Sequence, residues 1–70
     1  MKISWQDIEE IGFSLSKKFP EIKPLEIRFT ELLNLILQLE DFVGKREECN
    51  EAKLEAVQMA WYEEWKENQE

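Results

Sequence analysis

Two prolines, Pro20 and Pro24, govern what this 70-residue chain can become. Each fixes its own backbone angle, lacks a donor N–H, and pushes the residue before it toward extended geometry. No regular helix can run through this stretch, so the helical segments on either side of it are separate elements. Upstream, Ile8, Ile11, Leu15 and Phe19 recur at helical spacing and predict a first helix from about Trp5 to Phe19. Ser4 is placed to cap it, Asp7 to complete a capping box, and Pro20 to stop it. Gly12 sits beside the apolar stripe. An interior glycine costs about 1 kcal/mol against alanine, which close packing against another backbone would offset.

Downstream, Ile27-Arg28-Phe29 alternates apolar and polar and reads as a short strand. Thr30 is an N-cap candidate for a second helix to about Leu39. Leu32, Leu33, Leu35, Ile36, Leu37 and Leu39 make that helix apolar around most of its circumference, as in a centrally buried one. Asp41 to Asn50, with Gly44, reads as a loop. Asn50 opens a third helix whose Leu54, Val57, Gln58, Trp61 and Trp65 share one face, with fraying expected past Trp65. The expectation is a single domain over 1–70, mostly α, with three helices and at most short extended segments.

A domain this small buries a lesser share of its surface than a large one. The chain has material for a core all the same: 43% of its residues are hydrophobic, three of them Trp and four Phe. Trp5 and Trp61 are read as core anchors, Trp65 as more exposed. A single cysteine, Cys49, allows no internal disulfide, so an intracellular protein is expected. No basic-then-apolar leader is visible at the N-terminus, and the longest apolar-rich stretch, Leu32 to Leu39, is too short to span a bilayer. A cytoplasmic location is expected. The net charge of −7 disfavours nucleic acid and anionic membrane, and suits a basic protein surface or a cation.

For chemistry, the missing residue types matter most. The chain has no His, and its lone Cys has no imidazole to activate it. Its two glycines build no phosphate-binding loop. An enzyme is not expected. Metal binding is restricted to oxygen ligands, which suit hard cations or weakly held iron. Carboxylate pairs at helical spacing are Asp7/Glu10, Glu51/Glu55 and Glu63/Glu67. A solvated charged face is the plain explanation of any one pair. The helix dipole separates the acids further. Asp7, Glu9, Glu10, Glu31 and Glu51 stand near predicted N-termini, where they stabilise the helix locally. Glu40 and Asp41 end the second helix, and Glu63 and Glu64 lie near the end of the third, followed by Glu67 and Glu70. There the dipole disfavours them, which marks Glu40, Asp41, Glu63 and Glu64 as candidates for a surface that meets something positive. Arg28 is expected to pair with Glu40 or Asp41.

Taken in order, Trp5-x-Asp7, Ile11-Gly12, Pro20, Pro24, Arg28-Phe29-Thr30, Leu39-Glu40-Asp41-Phe42, Asn50-Glu51, Leu54-Glu55-Ala56 and Trp61 form a series over nearly the whole chain. This series resembles the IscX family of small acidic bacterial iron–sulfur cluster assembly proteins. The resemblance implies a fold like a modified winged helix. It also implies a non-catalytic adaptor that docks on the basic surface of a cysteine desulfurase, in competition with a frataxin-like protein, and regulates it. The acidic positions that carry over for partner binding are Asp7, Glu10, Glu40, Asp41, Glu63 and Glu64. Weak iron binding, with no tightly bound cofactor, would fall to Asp7, Glu10, Glu40 and Asp41.

The loop after Phe42 departs from the acid-rich pattern of that family, reading Val43-Gly44-Lys45-Arg46-Glu47-Glu48. Two cations there weaken a local iron site more than a broad docking surface, so desulfurase docking ranks above iron binding. An acidic adaptor for some other basic protein fits charge and size equally. A winged-helix nucleic-acid binder ranks last, because Glu51, Glu55, Glu63 and Glu64 on the third helix face only Lys53 and Lys66.

Overall fold

The computed structural model describes residues 2–68; Glu70 lies outside them. Among the described residues three helices carry the fold: α1 (Ile8–Lys18), α2 (Phe29–Leu37) and α3 (Glu51–Asn68), with single 3₁₀ turns at Pro24–Glu26 and Arg46–Glu48. Among the described residues the only β feature is one parallel bridge, Ile3 to Phe42. Ile3 N–H donates to the Asp41 carbonyl and Val43 N–H to the Ile3 carbonyl, each at 2.8 Å. This bridge ties the chain's start to the segment after α2. Among the described residues no helix is long and apolar enough to cross a membrane.

The apolar stripes read from the sequence form one core. Ile11 and Leu15 of α1, Leu32 and Ile36 of α2, and Leu54, Val57 and Trp61 of α3 are all buried. Ile3, Trp5 and Leu39 close it from the connecting segments. Burying each such aliphatic side chain contributes about 1.5–3 kcal/mol. The indole N–H of Trp5 donates to the Lys45 carbonyl at 2.7 Å, and its ring meets Phe42 edge-on at 4.9 Å. A Cβ on Gly44 would stand 2.6 Å from both rings, so a residue without one lets the loop lie beside them.

The pairing of α1 with α3 is the tightest in the molecule. A Cβ on Gly12 would lie 2.7 Å from the Trp61 backbone nitrogen and 2.8 Å from the Ala60 carbonyl carbon. Real Cβ atoms do not approach that closely, so only glycine permits this crossing. Gln58, the lone polar residue on the inner face of α3, donates from Nε2 to the Pro24 carbonyl at 2.9 Å. The 3₁₀ turn is thereby fastened to α3.

Several elements differ from expectation. Residues 4–7 form a turn instead of the first turn of α1. The Asp7 carboxylate accepts from the Ser4 backbone N–H at 3.0 Å and its hydroxyl at 3.2 Å, and the helix starts at Ile8. The local side-chain bond competes with the helix and shortens it. The strand expected at Ile27-Arg28-Phe29 does not form. Arg28 is the N-cap of α2 and Phe29 its first residue, because Phe29 packs its partly buried ring against the core. Thr30 is therefore inside the helix. Nor is α2 centrally buried: Leu37 is 36% exposed and Asn34 faces solvent. α3 continues to Asn68, past the fraying point expected at Trp65.

Asn50 caps α3 as its type predicts, accepting the Lys53 N–H on Oδ1 at 2.9 Å. Asn50→Ala is expected to lower the unfolding free energy by about 1 kcal/mol. Urea denaturation followed by circular dichroism would read this. An unchanged midpoint would mean the cap contributes nothing.

Candidate acidic docking surface

The carboxylates proposed as site residues fall into two places. The first lies on the α1–α3 seam. The helices cross where Gly12 meets Ala60 and Trp61. Glu9 is one turn before Gly12 on α1; Glu63 and Glu64 are one turn beyond Ala60 on α3. The crossing therefore carries these acids to one end of the seam. Glu9, Ala60, Glu63 and Glu64 line a cleft of about 260 Å³ there. Asp7, Glu9 and Glu10 border an adjoining depression at the start of α1, of about 300 Å³.

Glu40 and Asp41 lie elsewhere. They form one wall of a groove of about 490 Å³ whose other wall is Phe13, Ser14, Lys17 and Lys18, with Ile3 and Leu39 between. Lys18 donates from Nζ to the Gln38 carbonyl at 3.1 Å. It thus supplies positive charge at the end of α2, where the dipole is negative. The sequence offered no local reason for acids at that helix end. The fold supplies one, because two lysines from α1 share their groove.

Arg28 does not pair with Glu40 or Asp41. It precedes α2 while they follow it, and a helix of this length separates its ends by roughly 14 Å. Among the described residues the only ion pair is Lys23–Glu26, at 3.6 Å and exposed. Such a pair contributes at most about 1 kcal/mol.

Among the described residues no three carboxylate or thiol side chains converge as metal ligands. Asp7, Glu10, Glu40 and Asp41, expected as an iron-binding set, are not gathered into one preformed site. Their chain positions put Asp7 and Glu10 around the start of α1, and Glu40 and Asp41 in the mixed-charge groove beside its end.

Glu9 is the residue that the sequence reading passed over. The helix dipole explained it locally, yet the fold sets it opposite Glu63 and Glu64. Its signal was Gly12. A glycine three residues on marks a close helix approach, and an acid one turn away borders whatever approaches.

The chain was compared with known proteins. Residues 3–66 match the model of a family described as iron-sulphur cluster assembly. The uncharacterized protein PA3808 of Pseudomonas aeruginosa is 34% identical over 64 residues, covering 91% of this chain and 97% of that protein. The family match spans α1, α2 and all but the last two residues of α3, and takes in both acidic places. This chain belongs to the iron–sulphur cluster assembly family.

Proposed function

We propose that the protein is a non-catalytic acidic adaptor that docks on the basic surface of a cysteine desulfurase and regulates it. The observation that carries this reading is the cleft at the α1–α3 seam, where Glu9 faces Glu63 and Glu64. Three carboxylates on two rigidly packed helices make a fixed negative surface. The Asp7 and Glu10 positions extend it along the start of α1. Docking of a basic protein there needs no rearrangement and gains rate from electrostatic steering. Family membership and the IscX resemblance support the choice of partner.

Glu40 and Asp41 belong to the rim of this surface in the proposal, since Lys17 and Lys18 beside them offset their charge. Among the described residues iron has no preformed ligand set. Weak binding by carboxylate pairs, with water completing the shell, is the form that the donor types allow. The charge of −7 weighs against nucleic acid as partner.

Calorimetric titration into the organism's own cysteine desulfurase, at low and high salt, tests the reading. Glu63→Lys/Glu64→Lys should weaken binding at least about 30-fold, in line with the 2–5 kcal/mol lost when close interfacial charges are broken. Glu40→Lys/Asp41→Lys should weaken it by about tenfold or less, as rim charges do. Absence of binding by the wild type at either salt would refute desulfurase docking. The reverse ranking of the two variants would move the docking face to the groove.

A further inference from the structure

Two stretches far apart in the sequence, residues 3–5 and 41–45, hold each other in place. Ile3 N–H donates to the Asp41 carbonyl and Val43 N–H to the Ile3 carbonyl. The Trp5 indole N–H donates to the Lys45 carbonyl, and its ring meets Phe42 edge-on. Gly44 lies so close that a Cβ on it would stand 2.6 Å from both rings. Neither stretch lies in a helix, and among the described residues the only ladder that either makes is the bridge to the other. Apart from one-turn bonds such as Phe42 N–H to the Leu39 carbonyl, each is ordered by the other and by the core beneath both.

The core side chains that residues 3–5 contribute sit at its edge. Ile3 and Trp5 keep 6% and 3% of their surface exposed, whereas Leu15, Leu32, Val57 and Trp61 keep none. The crossing where Gly12 meets Ala60 and Trp61 takes no residue from either stretch. Undocking both stretches therefore leaves the helix pairing in place. Undocking one alone gains little. Releasing residues 3–5 strands the Lys45 and Asp41 carbonyls and the Val43 N–H and uncovers the Phe42 ring, yet frees only a few residues of chain. Contacts shared in this way between two irregular stretches are lost together.

We infer that residues 3–5 and 41–45 form a clasp, a cooperative unit that opens as a whole while the three helices stay packed. Openings of this kind have free energies below that of global unfolding. The clasp holds one of the two acidic places. Asp41 gives its carbonyl to Ile3, and Ile3 lines the groove in which Glu40 and Asp41 face Lys17 and Lys18. The next residue, Ser4, donates from its N–H to the Asp7 carboxylate at the start of α1. Closed, the clasp fixes Glu40 and Asp41 relative to Asp7. Open, it releases them, while Glu63 and Glu64 stay in place on α3. The inference does not depend on desulfurase docking.

Native-state hydrogen exchange, followed by NMR across low denaturant concentrations, tests this directly. The Ile3 and Val43 amides should exchange through one shared opening, with equal free energies and equal denaturant slopes. Both quantities should be smaller than those of the Val57 and Trp61 amides of α3. Trp5→Phe keeps an aromatic ring and removes the indole N–H. It should speed exchange of Ile3 and Val43 alike, by about tenfold, the equivalent of one buried hydrogen bond lost. Neither amide is bonded to the indole, so a purely local effect would leave both unchanged. Gly44→Ala, made from the other side of the clasp, should also speed the two alike. Gln58→Ala breaks the bond from α3 to the Pro24 carbonyl, which opening of the clasp leaves intact. It should speed exchange of Val57 and Trp61 and leave Ile3 and Val43 as they are. Circular dichroism confirms that the variants are folded. Unequal opening energies for Ile3 and Val43 would overturn the inference. So would opening energies equal to those of α3, or clasp amides that respond to Gln58→Ala.

Discussion

Trp61→Ala is expected to bring the protein close to its unfolding threshold at 25 °C. Trp61 is wholly buried and stands at the α1–α3 crossing, with its backbone nitrogen against Gly12. Removing a buried Trp or Phe side chain costs about 3–5 kcal/mol, because the lost transfer energy is joined by that of the cavity. A 70-residue domain has a total stability of only about 3.5–10 kcal/mol. The substitution removes nearly all of it at the low end of that range and about a third to a half at the high end. Trp61→Phe should be far milder, at about 1.5 kcal/mol or less. The indole Nε1 of Trp61 is buried and finds no acceptor among the described residues. Phenylalanine removes that unmatched donor together with part of the ring, and the two effects oppose. Urea denaturation of the three proteins would check this. Equal losses for Ala and Phe would mean that the indole N–H carries stability through a partner.

The helices were legible where a single physical signal acted alone. The spacing of Ile11 and Leu15, and of Leu54, Val57 and Trp61, is enough to define two faces that must be buried together. Asn50 needs only its side-chain Oδ1 to cap α3, and Pro20 needs only its ring to end α1. Where two local forces competed, residue type did not decide the outcome. Asp7 can support a helix or a turn, and its bond to Ser4 selects the turn. Phe29 has the pattern of a strand residue, but the core draws its ring into the first turn of α2. α2 reads as buried all round because it is rich in leucine. A nine-residue helix on a domain of two others has too little protein to cover it, and Leu37 remains exposed.

The acidic surface shows the same division. The dipole argument treats every acid as the property of its own helix. It singles out Glu63 and Glu64 and discounts Glu9. It places Glu40 and Asp41 in the same class as Glu63 and Glu64, although Lys17 and Lys18 stand opposite only the former pair. Both differences come from contacts between helices, which a dipole assigned helix by helix does not contain. Gly12 was the one residue whose local cost pointed outside its helix, and it points at the seam where the acids meet.

That seam carries the second large effect. Gly12→Ala is expected to destabilise the protein although alanine is the better helix former. The propensity gain is about 1 kcal/mol. The added methyl would stand 2.7 Å from the Trp61 backbone nitrogen and 2.8 Å from the Ala60 carbonyl carbon. Backbone cannot step aside as a flexible side chain does, so the helices must separate. Overpacking of this kind costs about 1–3 kcal/mol, and the clash with backbone puts it at the upper end. A net loss of about 1–2 kcal/mol follows. Gly12→Val adds two further methyl groups and loses helix propensity, so it should be worse still. The functional consequence is separate from the loss of stability. Moving α1 from α3 moves Glu9 from Glu63 and Glu64, so the folded fraction of Gly12→Ala should bind the desulfurase more weakly than wild type if the seam is the docking face. Thermal denaturation gives the first quantity and titration well below the melting point gives the second. A variant more stable than wild type would show that the seam opens at no cost. A destabilised variant that docks with wild-type affinity would place the docking acids on one helix alone.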